Sequence, residues 1–133
     1  MQQDTQLKTI IGNVNGVTAA GVFLLSNSVT FSRLSSVFKL RLNSSIDQTN
    51  TKRSIIAVIR SNAPILAASN AMPGVYLHQT ARYGGASVLI SEMIRDAWEG
   101  IVFQPGECLS VYTLADDLGC LFVYSLNVHY RDL

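Results

Sequence analysis

The sequence predicts an all-β fold, a single-domain antiparallel β-sandwich. Three observations predict it. Apolar and polar residues alternate with a period of two through much of the chain, the signature of strands with one face inward. Runs such as SIIAVIR (54–60) are β-branched and continuous, as central strands are. Clusters of Gly, Pro, Asn, Asp and Ser divide these runs at short intervals. A chain of 133 residues suffices for one domain with a sizeable core, expected to span residues 1–133.

The elements follow in order. QLKTIIGNV and TAAGVFLLS read as the first strands. In VFKLRLN, Phe38, Leu40 and Leu42 are expected inside, with Lys39 and Arg41 outside. NSSIDQTNTKR (43–53) reads as an exposed loop. SIIAVIR reads as a central strand, and APILAAS and GVYLHQT as two more. ASVLISEMIRDAW (86–98) fits a helical face only loosely; β-branched residues and the flanking Gly84 and Gly85 favour a strand, with a bulge before Met93. IVF and CLSVYTL flank the QPGE turn. The last run, CLFVYSLNVHYRD, is the clearest. Phe122, Tyr124, Leu126, Val128 and Tyr130 share an inner face, and Ser125, Asn127, His129 and Arg131 share a wet one.

Charged residues make up only 14% of the chain, against about 25% in a typical soluble domain. Ser, Thr, Asn and Gln fill the difference. Such a surface sheds water at low cost and suits contact with other subunits. The net charge of +1 provides no field for nucleic acid or anionic membrane. No apolar run is long enough to span a bilayer, so no membrane insertion is expected. MQQDTQLKTI lacks a basic, then apolar, leader, which points to synthesis in a cytoplasm.

Charge is unevenly spread. Residues 1–82 carry net +6 and residues 83–133 carry net −5. The blocks can pair within one fold or between copies. Arg33, Lys39, Arg41 and Arg60 on the early strands, with Glu99 and Glu107 on the late ones, are the candidate subunit-interface residues.

Catalytic chemistry finds little footing. Gly100, Pro105 and Gly106 resemble the turn of the second cupin motif, but no histidine follows it. His78 and His129 stand apart, so no metal ligand set is expected. Neither histidine has an evident nucleophile and orienting group, and each reads as an ordinary strand residue. Glu92, Asp96 and Glu99 read as a solvated or ion-paired face. No phosphate-binding loop is present, so no catalytic residue and no cofactor is expected. An ADDLG hairpin would set Cys108 and Cys120 far apart, making both buried free thiols. Tyr76 and Tyr83 remain as candidate ligand-loop residues.

Two segments carry a family resemblance. IVFQPGECLSVYT resembles the penultimate strand pair of small jelly-roll proteins that build or decorate viral capsids, bacteriophage cement and vertex proteins among them. GCLFVYSLNVHYRDL resembles their closing strand. Together these segments span about a quarter of the chain. The resemblance implies a jelly-roll-like sandwich and a non-enzymatic capsid or capsid-decorating subunit. It would reside in the virion after synthesis in the host cytoplasm. Its partners would be copies of itself, a homotrimer favoured, and other capsid proteins. No functional residue transfers. The alternatives are a carbohydrate- or receptor-binding sandwich using its end loops, and a small β-barrel enzyme.

Overall fold

The computed structural model describes residues 5–15, 20–47, 53–62, 67–68, 75–83, 88–116 and 119–133. They form nine strands: β1 (Thr5–Asn15), β2 (Phe23–Thr30), β3 (Ser35–Asp47), β4 (Arg53–Ser61), β5 (Ala67–Ala68), β6 (Val75–Tyr83), β7 (Val88–Phe103), β8 (Cys108–Ala115) and β9 (Leu121–Asp132). Sheet A has the order β1-β9-β3-β7 and sheet B the order β5-β2-β8-β4-β6. All pairings are antiparallel.

The pairing is nested. β1 pairs with β9, β2 with β8, β3 with β7 and β4 with β6, as in one long hairpin. Folding that hairpin over lets β9 also pair with β3, and β8 with β4. That arrangement of eight strands in two sheets is a jelly roll. The two-residue β5 is an addition at the edge of sheet B.

The core lies between the sheets. Val37, Leu40, Leu42, Phe122, Leu126 and Val128 of sheet A meet Ile56, Val58, Leu109 and Val111 of sheet B, all fully buried. The last strand has the expected inner face, Phe122 through Tyr130. Tyr124 reaches across and donates to Ser26 Oγ at 2.7 Å. Its ring lies where a side chain on Gly12, its partner across β1, would stand. A second apolar cluster, Phe23, Ile55, Ala57, Ile59, Tyr112 and Leu114, lies on the outer side of sheet B and is also buried.

Several local expectations shift. Residues 88–98 are a strand, within β7, but the extra residue is Ile94, after Met93 rather than before it: Leu40 faces Arg95 and Arg41 faces Met93. Phe38 does not point inward. β3 bulges between Val37 and Lys39, which moves the inner parity to Val37 and puts Phe38 outside, half-buried. Arg131 is buried rather than wet, because its guanidinium lies 4.3 Å over the Phe38 ring. Asn43–Asp47 extend β3 instead of opening a loop; the loop's remainder, 48–52, lies outside the described residues. So do the Gly84–Gly85 turn and most of APILAAS.

The late connections are not hairpins. β8 lies in sheet B while β7 and β9 lie in sheet A, so both flanking turns cross between sheets. Cys108, in β8, and Cys120, just before β9, are buried free thiols, and the ADDLG connection between them crosses between sheets rather than closing the expected hairpin.

Candidate functional site

The QPGE turn is a structural corner. Glu107 N–H bonds to the Gln104 carbonyl at 3.0 Å, closing a four-residue turn. Gly106 has φ +90°, and Pro105 precedes it, as a type II turn requires. The turn is tied to the end of β2: Gly106 N–H donates to the Phe31 carbonyl at 2.7 Å, and Phe31 N–H to that of Glu107 at 3.0 Å. The Glu107 carboxylate accepts from Gln104 N–H at 2.7 Å and from Arg60 Nε and Nη2, both at 2.8 Å. Arg60 also lies 4.6 Å from the Phe103 ring centre. The guanidinium pulls the Glu107 carboxyl down to about 2, with the Gln104 amide adding to the effect, and the carboxylate in turn raises Arg60. These contacts fasten β4 to the corner between sheets.

Opposite charges from the two halves therefore meet inside one chain here, and again where Arg53 faces Asp116 at 3.3 Å. Arg33 is exposed and lies 4.0 Å from Asp132. A small polar cleft of about 100 Å³ surrounds that pair, with Gln6, Lys8 and Ser35 on its walls. Gln6 donates to Asp132 at 3.1 Å and accepts from the Tyr130 hydroxyl at 2.9 Å. Lys39 and Arg41 stand on the outer face of sheet A, across β9 from His129 and Asn127. Glu99 lies on the bulged stretch of β7 between Asp96 and Ile101. Tyr76 and Tyr83 lie on edge strand β6, across from Ile59 and Arg53. Of the candidate charges, Arg60 and Glu107 thus hold the corner, Arg33 the cleft, and Lys39 and Arg41 the outer face of sheet A.

That outer face is the feature the sequence did not isolate. Its rows follow from register. Leu7 flanks His129 and Lys39; Thr9 flanks Asn127 and Arg41; Ile11 flanks Ser125 and Asn43; Asn13 flanks Val123 and Ser45. At the other end, Val102 adjoins Ser36, and Leu133 N–H bonds the Leu34 carbonyl at 2.8 Å. Six large apolar side chains are exposed among the described residues: Leu7, Ile11, Leu34, Val102, Val123 and Leu133. Strand alternation puts Leu7, Ile11, Val102 and Val123 on this face, while Leu34 and Leu133 lie just beyond the adjoining ends of β3 and β9. Leu7 and Ile11 are the most open, at 57% and 69%. A shallow depression of about 240 Å³ lies among Ile11, Asn43, Ser45, Val123 and Ser125. The residues between the apolar ones are Thr, Asn and Ser together with Lys39, Arg41 and His129; Thr9 donates its hydroxyl to Asn127 Oδ1 at 2.9 Å. The two outer faces thus differ: the cluster on sheet B is closed within the chain, and the apolar residues of sheet A are open.

Among the described residues no group of three His, Cys, Asp or Glu side chains could hold a metal ion. Among them, too, no helix is long and apolar enough to cross a membrane. His129 rests 6.2 Å from the Phe38 ring.

No family model matches the chain, and no curated protein matches it. Solved structures do. The chain is similar to one from Bacillus endospore appendages, described as a novel family of disulfide-linked pili. That match has 11% identity and TM-score 0.47, and covers 100% of this chain and 92% of that one. It is similar to a chain of infectious bursal disease virus Gx strain, at 12% identity and TM-score 0.41; 98% of this chain spans 38% of that one. A third match is turnip yellow mosaic virus, as empty heads, at 11% identity and TM-score 0.37, covering 99% of this chain and 82% of that one.

Proposed function

We propose that the chain is a non-enzymatic structural subunit that self-associates, as a capsid or capsid-decorating protein of a virion. One observation carries this reading. Among the described residues, exposed Leu7, Ile11, Val102 and Val123 lie on the outer face of sheet A, set among Thr9, Asn13, Asn43, Ser45, Ser125 and Asn127, with Lys39 and Arg41 beside them. Apolar side chains left open together on one face mark a contact site, and neutral polar neighbours cost less to desolvate than charged ones. Residues 1–133 act as one domain in this reading, since the first strand pairs with the last. Copies assemble as a homotrimer alongside other capsid proteins, with Arg33, Lys39, Arg41 and Glu99 at contacts between subunits. Arg60 and Glu107 then act chiefly within the subunit, holding its shape. The chain needs no cofactor and binds no nucleic acid.

Light scattering on the purified chain tests this. A defined mass of three chains at low concentration supports the trimer. A monomer at micromolar concentration rejects self-assembly. The alternative of a carbohydrate- or receptor-binding module rests on Tyr76 and Tyr83. Glycan-array binding that is lost in Tyr76→Ala or Tyr83→Ala would favour it over the structural role.

A further inference from the structure

Each open sheet has two edges, and an edge strand presents unpaired backbone groups to any passing strand. Three of the four edges here are blunted. β5 is two residues long. β6 is interrupted, since Val58 faces His78 and Ile59 faces Tyr76, leaving Leu77 as an extra residue. β7 breaks register twice and carries Glu92, Arg95, Asp96 and Glu99. β1 has none of these protections. It holds eleven consecutive pairs with β9 in one unbroken register, contains no proline, and bears a single charge, Lys8. Lys8 lines the cleft beside Asp132 and Arg33, away from the outer face.

We infer that β1 pairs antiparallel with β1 of a second copy, about a two-fold axis beside Thr9. This rests on the self-association reading and names its contact. The backbone directions agree. Leu133 N–H bonds the Leu34 carbonyl, so odd-numbered residues at this end of β9 turn their backbone groups toward β3. Even-numbered ones then face β1, where they meet Gln6, Lys8, Ile10, Gly12 and Val14. The N–H and C=O groups of Thr5, Leu7, Thr9, Ile11 and Asn13 are left directed outward from the described sheet.

The side chains select the register. Leu7 and Ile11 are the two most exposed large apolar residues among the described residues, and they sit symmetrically about Thr9. A two-fold axis at Thr9 sets Leu7 of each copy against Ile11 of the other. It sets Thr9 against Thr9, which extends the Thr9–Asn127 pair into a four-residue polar row. Apolar pairs and Thr–Thr pairs are both favourable directly across strands. Like-charge contacts are absent from this row, and the two copies of sheet A become one eight-stranded sheet. The contact is isologous, with the same surface on both sides. It is distinct from a three-fold contact and can join trimers to one another.

Cysteine cross-linking tests the contact, because native Cys108 and Cys120 are only 1% and 0% exposed and stay silent in the folded chain. Thr9→Cys is treated with a short bis-maleimide and resolved on a denaturing gel. Asn13→Cys serves as the register control, since its two copies would stand eight residues apart, about 27 Å at ~3.4 Å per residue. The expected result is a cross-linked dimer with Thr9→Cys, at least about tenfold more abundant than with Asn13→Cys, and abolished when Ile11→Lys is added. The far-UV circular dichroism of each variant checks that it is folded. Equal cross-linking at both positions would overturn the register. If folded Thr9→Cys gives no dimer while the wild-type chain scatters as a multimer, the β1 contact is wrong and self-association stands elsewhere. If the wild-type chain is also monomeric at micromolar concentration, both ideas fall.

Discussion

Replacing Glu107 with Gln removes the charge that joins the PG corner to β4 and keeps the side chain's shape. The magnitude follows from the site. The folded carboxyl sits at about 2 against an ordinary 4.5, chiefly because it accepts two hydrogen bonds from Arg60 and another from the Gln104 amide. At ~1.36 kcal/mol per pH unit, that difference sets a ceiling of ~3 kcal/mol. The two side chains keep 27% and 14% of their surface in solvent, so screening reduces the realised value. The glutamine amide also retains a neutral hydrogen bond. The expected loss is about 1–2 kcal/mol at pH 7. The sign with pH is fixed. The folded value lies below the unfolded one, so the stabilisation is complete above pH 4.5 and disappears as pH falls through about 2. Urea titrations of wild type and Glu107→Gln, followed by tryptophan fluorescence at a series of pH values, measure it. The two stabilities should differ at pH 7 and converge toward pH 2. A gap that is absent at pH 7, or unchanged at pH 2, would refute the assignment.

Other expectations concern packing. Gly12→Ala sets a methyl group into the Tyr124 ring and should lower stability by about 1–3 kcal/mol, read as a shift in urea midpoint. Gly100→Ala meets two obstacles, φ of +71° and a Cβ 2.6 Å from the Val37 carbonyl oxygen; its melting temperature should fall, and an unchanged one would contradict the bulge geometry. Tyr124→Phe loses the hydroxyl bonded to Ser26 and should cost about 1 kcal/mol in denaturant titration. Cys108 and Cys120 should resist a thiol reagent in the folded chain and react together on unfolding, with fast reaction of the native protein counting against their burial.

Strands and the inner face of β9 were legible because alternation there is uninterrupted from Phe122 to Tyr130. Where a bulge intervenes, alternation misleads. Phe38 reads as core from its spacing to Leu40, yet one extra residue turns it outward, and there it covers Arg131. The sheet order was not legible, because short turns such as QPGE and ADDLG look the same whether they close a hairpin or cross between sheets. The clamp of the corner was half visible: Arg60 and Glu107 stood out as charges, but 47 residues separate them and only the fold brings them together. The apolar face of sheet A was hidden for a similar reason. Leu7 and Val123 belong to opposite ends of the chain, and each reads locally as an ordinary strand residue.

Hydrogen exchange of the Thr5–Asn15 segment, followed by mass spectrometry over a range of protein concentrations, tests the central claim most directly, since it reports both association and its location. The outward amides of β1 should exchange progressively more slowly as concentration rises, while β8, enclosed within sheet B, stays unchanged. Exchange in β1 that is the same at every concentration would contradict the account.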